Sequence, residues 1–81
     1  MAGPRVKRGE IYLPNSGGFF GHIVLDATDR DNIVVQPFTR KGKNSETQTI
    51  DAFKLAVVRY SRADILPDWI PADIMEIRCN I

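Results

Sequence analysis

The feature that most constrains the fold is a pair of apolar, β-branched runs separated by a few polar residues. The first run covers residues 21–27, the second covers residues 33–39, and Asp, Arg, Asp and Asn stand between them at residues 29–32. β-branched residues favour strands and Asp and Asn favour turns, so this pattern predicts an antiparallel hairpin. Pro37 lacks a backbone N–H, which predicts that the far end of the second strand lies at an edge or a bulge.

Shorter segments on either side extend the β pattern. The expected elements are a strand at residues 9–13, a loop at 15–18, a basic loop at 40–45, a strand at 47–50, a 3₁₀ turn at 51–54 and a last strand at 55–60. Pro14 is expected to end the first strand, and Asp51 is expected to cap the turn. Short strands in hairpins around one late 3₁₀ turn predict a mainly β protein, a small SH3-like five-stranded barrel.

The last residues fit two structures. Apolar and polar residues alternate strictly from Met75 to Ile81, which is typical of a half-buried strand. Pro71 followed by Asp73 is also a good helix start, and isoleucines recur at helical spacing through this segment. The sequence therefore predicts an appended strand or helix after the barrel, with the barrel core at about residues 7–60 and the extension at about 61–81.

Length, charge and cysteine content limit the class of protein. An 81-residue chain has room for one core, so residues 1–81 are expected to form a single domain. One cysteine, Cys79, and one histidine, His22, supply neither an intramolecular disulfide nor a structural zinc site. No apolar stretch approaches the length of a membrane helix or a signal peptide, so no membrane association and a cytoplasmic location are expected. Net charge is +1, with the basic excess in residues 1–45.

Three stretches resemble the PemK/MazF-type toxins, small barrels that cleave messenger RNA. Residues 7–13 read KRGEIYL, residues 34–39 read VVQPFT after a matching strand at 23–25, and residues 57–66 read VVRYSRADIL. The resemblance covers about residues 7–66 and implies RNA as substrate, a homodimer and a cognate antitoxin protein. That family usually places an arginine before its second strand, where residues 19–22 here are Phe, Phe, Gly and His.

Cleavage of RNA through its 2′-hydroxyl needs a base, a cation or donor at the phosphate, and an acid. His22 titrates near neutral pH and is the candidate base or acid. Thr39 matches the family's threonine after "P-apolar", and Arg40 is the arginine beside it. These three residues are the catalytic candidates, and no cofactor or metal is expected.

Other residues are candidates for holding RNA without reacting. The basic and aromatic candidates are Arg8, Phe19, Phe20, Lys41 and Lys43, and Tyr12 and Trp69 are further rings that could stack on bases. Asp26, Asp29 and Asp31 are close in sequence, but turn formation around Asn32 explains them without a metal. If residues 19 and 20 are extended, their rings point to opposite faces and one is exposed.

Two functions remain open at this point. The chain is either an RNA-binding relative of these toxins, with or without cleavage, or a non-catalytic module that binds a protein partner or itself.

The sequence also supports three structural expectations. Ile23, Leu25, Val35 and Val57 should share a core. The 40–45 loop should be exposed and mobile, with nothing to bury. Self-association is expected through the Phe19-Phe20 loop, the C-terminal segment or both, because five short strands do not obviously bury all the apolar side chains; the surplus ones are Phe19, Phe20, Trp69, Ile70, Met75, Ile77 and Ile81. The alternative is that the C-terminal segment folds back over the barrel and covers the aromatic rings within one chain.

Overall fold

A computed structural model describes residues 5–81, and in this range six strands form one antiparallel sheet. The elements are β1 (Ile11–Pro14), β2 (Phe20–Asp26), β3 (Ile33–Thr39), β4 (Gly42–Lys43), β5 (Gln48–Ile50), a π-helical segment (Lys54–Val58), β6 (Tyr60–Arg62) and α1 (Ala72–Cys79). The strand order is β4-β3-β2-β1-β6, and β5 pairs with the other end of β3. The prediction of a mainly β chain is confirmed. The described sheet has six strands and stays open, so the barrel is not closed.

Both faces of the central strands are covered, which is why β2 and β3 are buried almost continuously. One face carries Tyr12, Val24, Val35 and their neighbours, which pack under Leu55 of the π-helical segment. We call this the π-segment face. The opposite face, the helix face, is covered by α1 and by the residues that lead into it.

On the π-segment face, the chain closes over the core with a single tight turn. Asp51 Oδ1 accepts a hydrogen bond from the Lys54 N–H at 2.8 Å, so Asp51 caps the turn as predicted. Ala52 and Leu55 then reach the core. The predicted 3₁₀ turn at residues 51–54 and the predicted strand at residues 55–60 are both wrong. Residues 52–53 are α-helical, residues 54–58 form a π-helical turn that buries Leu55, and the strand begins only at Tyr60.

On the helix face, the C-terminal segment folds back over the sheet. Ile74 of α1 is fully buried against Ile11, Ile23 and Phe38. Of the two structures left open for this segment, the helix is the one observed; Pro71 stands at its N-cap and Asp73 lies in its first turn. Trp69, Ile70 and Ile77, which the sequence offered for a dimer contact, are packed within the chain.

The expected shared core divides between the two faces. Ile23 and Leu25 lie in the helix-face cluster, whereas Val35 lies in the π-segment cluster. Their strands are neighbours, but the register pairs Ile23 with Gln36, so Val35 points the other way. Val57 was wrongly assigned to the core: its side chain is 49% exposed on the π-helical segment.

The 40–45 loop is a tight hairpin, and the prediction that it has nothing to bury is wrong for Gly42. Gly42 has φ +120° and is buried, because its backbone lies against the Asp73 carboxylate. Asp73 Oδ2 also accepts a hydrogen bond from the Lys43 N–H at 3.1 Å.

Pro37 of β3 pairs with β2 on one side only. On its other side it lies in the gap between the residues that pair with β4 and those that pair with β5, so it has no ladder partner there in the described chain, as expected for an edge.

Among residues 5–81, no helix has the length and apolar character needed to cross a membrane.

Candidate nucleic-acid interface

The end of the β2–β3 ladder collects six of the eight site residues predicted from the sequence. They are Phe19, Phe20, Thr39, Arg40, Lys41 and Lys43. Phe20 pairs with Thr39 across the ladder, and the Arg40 N–H donates to the Phe19 carbonyl at 3.1 Å. Lys41 and Lys43 follow in the β3–β4 hairpin. We call this set the basic-aromatic end.

The backbone of the basic-aromatic end is fixed by its turns. Gly18 has φ +114°, and a Cβ there would lie 2.9 Å from Cε1 of Phe20, so the glycine allows the Phe20 ring to pack against the chain. On the facing strand, Thr39 Oγ1 accepts a hydrogen bond from the Lys41 N–H at 3.2 Å. The Thr39 hydroxyl therefore holds the hairpin turn.

The Phe19 ring is held between a cation and a second aromatic ring. The guanidinium carbon of Arg40 lies 4.9 Å from the Phe19 ring centroid. The Trp69 ring packs edge-on against the Phe19 ring, with 5.7 Å between the two centroids. Trp69 also contacts Phe38 at 6.0 Å, which connects the group to the helix-face core. The structure thus makes Trp69 a support for Phe19.

Both phenylalanines at this end are exposed, whereas the sequence predicted that one of the two rings would be. Phe19 is 55% exposed and Phe20 is 39% exposed, on opposite faces of the sheet. Among residues 5–81 the salt bridges both belong to Arg62, so the side chains of Arg40, Lys41 and Lys43 form no ion pair, although the Asp73 carboxylate lies at the backbone of Lys43. Exposed rings beside unpaired cations are the combination that single-stranded nucleic acids bind.

The structure does not bring together the side chains of His22 and Arg40, two of the three catalytic candidates. Thr39 and Arg40 are consecutive, so their side chains diverge: Thr39 shares the π-segment face with His22, while Arg40 lies with Phe19 and Trp69 on the helix face. His22 is directly opposite Pro37, two pairs along the ladder from Thr39.

His22 is itself a buried residue, with 9% of its surface exposed. Its ring packs edge-on against Tyr60 with 4.6 Å between centroids, and its Nδ1 has no hydrogen-bond partner in the described part of the chain. Burial lowers the pKa of the imidazole below its ordinary value of 6.5, so His22 is neutral at physiological pH. With Nδ1 enclosed, only the opposite ring edge is open to a ligand.

Arg8 and Tyr12 lie away from the basic-aromatic end. Arg8 precedes β1 and is near Asp26, at the far end of β2 from Phe20. Tyr12 is buried, and its hydroxyl donates to Glu10 Oε1 at 3.1 Å; burial together with the Glu10 charge raises the pKa of this tyrosine. Neither residue therefore belongs to the interface that the sequence predicted.

A concave site surrounds His22, away from the basic-aromatic end, and the sequence did not indicate it. It is a cleft of about 400 Å³ whose walls include Gln48, Asp51, Lys54, Arg59 and Tyr60. These residues come from β5, from the π-helical segment and the residues that flank it, and from β6, which only the fold brings to one place. The basic residues Lys54 and Arg59 lie in the acidic half of the sequence, so charge distribution along the chain concealed them.

The aspartates near the β2–β3 turn form turns. Asp26 Oδ1 accepts hydrogen bonds from the backbone and hydroxyl of Thr28, and Asp29 accepts from the Asp31 N–H and the Asn32 amide. These bonds lower the pKa of both carboxyls. Over residues 5–81 no group of three or more His, Cys, Asp or Glu side chains is placed to hold a metal ion.

Comparison with known proteins returns no match to a family model, to a curated protein or to a solved structure.

Proposed function

We propose that this protein binds single-stranded RNA at its basic-aromatic end and does not cleave it. The observation that carries the proposal is the stack of Arg40 on the exposed Phe19 ring, with Lys41 next in the chain and the exposed Phe20 ring on the other face of the same end. The short sequence similarities to PemK/MazF-type toxins support RNA as the ligand.

The physical argument begins with the rings. A base of a single strand stacks on an exposed aromatic ring irrespective of its identity, whereas a base in a duplex already has stacking partners. Phe19 is fixed in place by Trp69 and Arg40, so its ring loses little freedom when a base stacks on it.

The cations supply the second part of the binding energy. Arg40, Lys41 and Lys43 stand within four consecutive positions at this end, and each contact to a phosphate releases a counterion. Affinity should then fall with salt, with a slope of about −0.7 per phosphate contacted for a single strand. The expected preference is for single strands over duplexes, with weak discrimination among sequences.

Absence of cleavage follows from where the reactive groups lie. The reaction needs a proton acceptor and a cation at the same phosphodiester. His22 and Arg40 are on opposite faces of the sheet, His22 Nδ1 is enclosed, and the Thr39 hydroxyl already accepts a hydrogen bond. This separation supports a relative of the toxins that holds RNA without cutting it.

A test uses fluorescence anisotropy with an unstructured RNA of about ten nucleotides, a length within the range that small barrels cover. Phe20→Ala and Arg40→Gln should each weaken binding by about tenfold or more. Matched controls are Phe53→Ala and Arg30→Gln, which alter an exposed phenylalanine and an exposed arginine outside this end. The labelled RNA should remain intact throughout.

Two results would refute this function. Equal losses in the test and control variants would mean that binding is non-specific, and no measurable binding at low salt would remove RNA as the ligand. If the wild type degraded the RNA and the Arg40→Gln variant did not, the protein would instead be a nuclease.

A second candidate uses the same end of the molecule as a protein-binding surface. Exposed Phe19 and Phe20 favour it, since exposed rings are also common at the centres of protein interfaces. A second copy of the chain is the partner that the family similarity implies.

A further inference from the structure

The cleft around His22 is separate from the basic-aromatic end, and its chemistry points to a different ligand. It opens on the π-segment face, between β5, the π-helical segment and β6. Its volume of about 400 Å³ is within the range of about 300–1,000 Å³ that small-molecule sites occupy.

The floor of the cleft is a buried polar ring with unused hydrogen-bonding capacity. His22 is more than nine-tenths buried, and its Nδ1 has no partner among the described residues. Buried polar groups in folded proteins are nearly always paired, so an unpaired one beside a cleft needs an explanation. Nδ1 is enclosed by the described chain and stays unpaired, so a ligand in the cleft would bond to the opposite edge of the ring and give the buried imidazole its one polar partner.

Two cationic residues line the cleft. The Arg59 N–H donates to the Lys54 carbonyl at 3.1 Å, so the π-helical turn places these residues one turn apart. Both side chains line the cleft, and neither has a carboxylate partner within residues 5–81. Two unpaired cations one turn apart are suited to a phosphate group.

The remaining walls complement the rest of a nucleotide. Asp31 and Asp51 offer carboxylates that can accept hydrogen bonds from a ribose or from the amino group of a base, and Gln48 offers an amide. The half-buried ring of Tyr60, fixed against His22, provides an aromatic surface. Inorganic phosphate alone would leave these groups unused.

We propose that this cleft binds a nucleoside monophosphate, with Lys54 and Arg59 at the phosphate and with His22, Tyr60 and the carboxylates around the nucleoside. The proposal does not depend on RNA binding at the basic-aromatic end, because the two sites share no residue.

The test is a titration of the wild type with AMP, CMP, GMP and UMP, followed by isothermal calorimetry and by the NMR signals of the His22 ring. At least one nucleotide should shift these signals, and Arg59→Gln should weaken its binding by about tenfold or more, the loss expected for a charge-assisted hydrogen bond. Arg59 is exposed, so this variant should fold. Adenosine and inorganic phosphate, tested separately, should each bind more weakly than the nucleotide.

Arg40→Gln is the control that separates the two sites. It should weaken RNA binding and leave nucleotide binding unchanged, whereas Arg59→Gln should do the reverse. The proposal is overturned if no nucleotide shifts the His22 signals at millimolar concentration, if Arg59→Gln binds as tightly as the wild type, or if inorganic phosphate binds as tightly as the nucleotides.

Discussion

The imidazole of His22 stands perpendicular to the ring of Tyr60, with 4.6 Å between the ring centroids and no partner on Nδ1 in the described chain. A charged imidazolium in this position would be desolvated, which is why burial lowers the pKa of His22 below 6.5. The neutral form is therefore the one compatible with the folded state.

This relationship predicts a pH dependence of stability. Because the folded pKa is below the unfolded one, the unfolded chain binds the proton more readily, and the free energy of unfolding falls as pH drops below about 6.5. The loss cannot exceed about 1.4 kcal/mol per pH unit for a single group. Above this range the contribution of His22 is constant.

Urea unfolding between about pH 7.5 and pH 5 measures this effect. His22→Phe, which keeps a ring beside Tyr60, should flatten the profile in that window. Asp26 and Asp29, whose pKa values lie below 3.8, do not titrate there. An unchanged slope in the variant would mean that His22 is not the responsible group.

The contact between Gly42 and Asp73 predicts unequal effects of two glycine substitutions. Gly42 and Gly17 both have positive φ, of +120° and +88°, so alanine is strained at either position. A Cβ at Gly42 would lie 2.8 Å from Asp73 Oδ2, whereas a Cβ at Gly17 would meet nothing within 4 Å. Thermal unfolding should therefore show a larger loss for Gly42→Ala than for Gly17→Ala, by about 1 kcal/mol or more. Equal losses would mean that the hairpin does not rest on α1.

The packing of α1 on the sheet is tested by two isoleucines. Ile74 is fully buried in the helix-face cluster, and Ile65 is 90% exposed in the segment before the helix. Ile74→Ala should lower the free energy of unfolding by about 2–5 kcal/mol, while Ile65→Ala should change it by less than about 0.5 kcal/mol. A small loss at Ile74 would contradict the docked helix.

The homodimer implied by the family similarity stays a prediction, and of the surfaces expected to form it, the structure leaves the Phe19-Phe20 end exposed. Trp69, Ile70 and Ile77 pack within the chain, while Phe19 and Phe20 remain exposed. Sedimentation at low micromolar concentration should give a dimer that Phe20→Ser converts to a monomer. Monomer mass for both proteins would contradict the prediction.

The sequence predicted the local elements well because local chemistry determines them. The hairpin of β2 and β3 follows from two β-branched runs around an Asp/Asn turn, and Asp51 caps the turn that follows β5. Val57 was misplaced because a short apolar run fits a strand or a helical turn equally well, and packing of Leu55 decided between them.

The site was predictable only in part, because local sequence determines which strands pair but not which distant residues the packing brings together. Phe19, Phe20, Thr39 and Arg40 come together because adjacent strands pair in register, a local relationship. Which face each side chain takes, and therefore the separation of His22 from Arg40, depends on that register. The cleft combines residues from β5 and β6 with His22, and no spacing in the sequence indicates such a meeting.

The central claim is that single-stranded RNA binds at the basic-aromatic end, and mapping the bound surface tests it most directly. Adding an unstructured RNA of about ten nucleotides to the isotope-labelled protein should shift the NMR signals of Phe19, Phe20, Arg40 and Lys41, with the RNA recovered intact. Signals of Phe53 and of Arg8, which lie elsewhere, should not move. Shifts confined to other surfaces, or no shifts at low salt, would contradict the account.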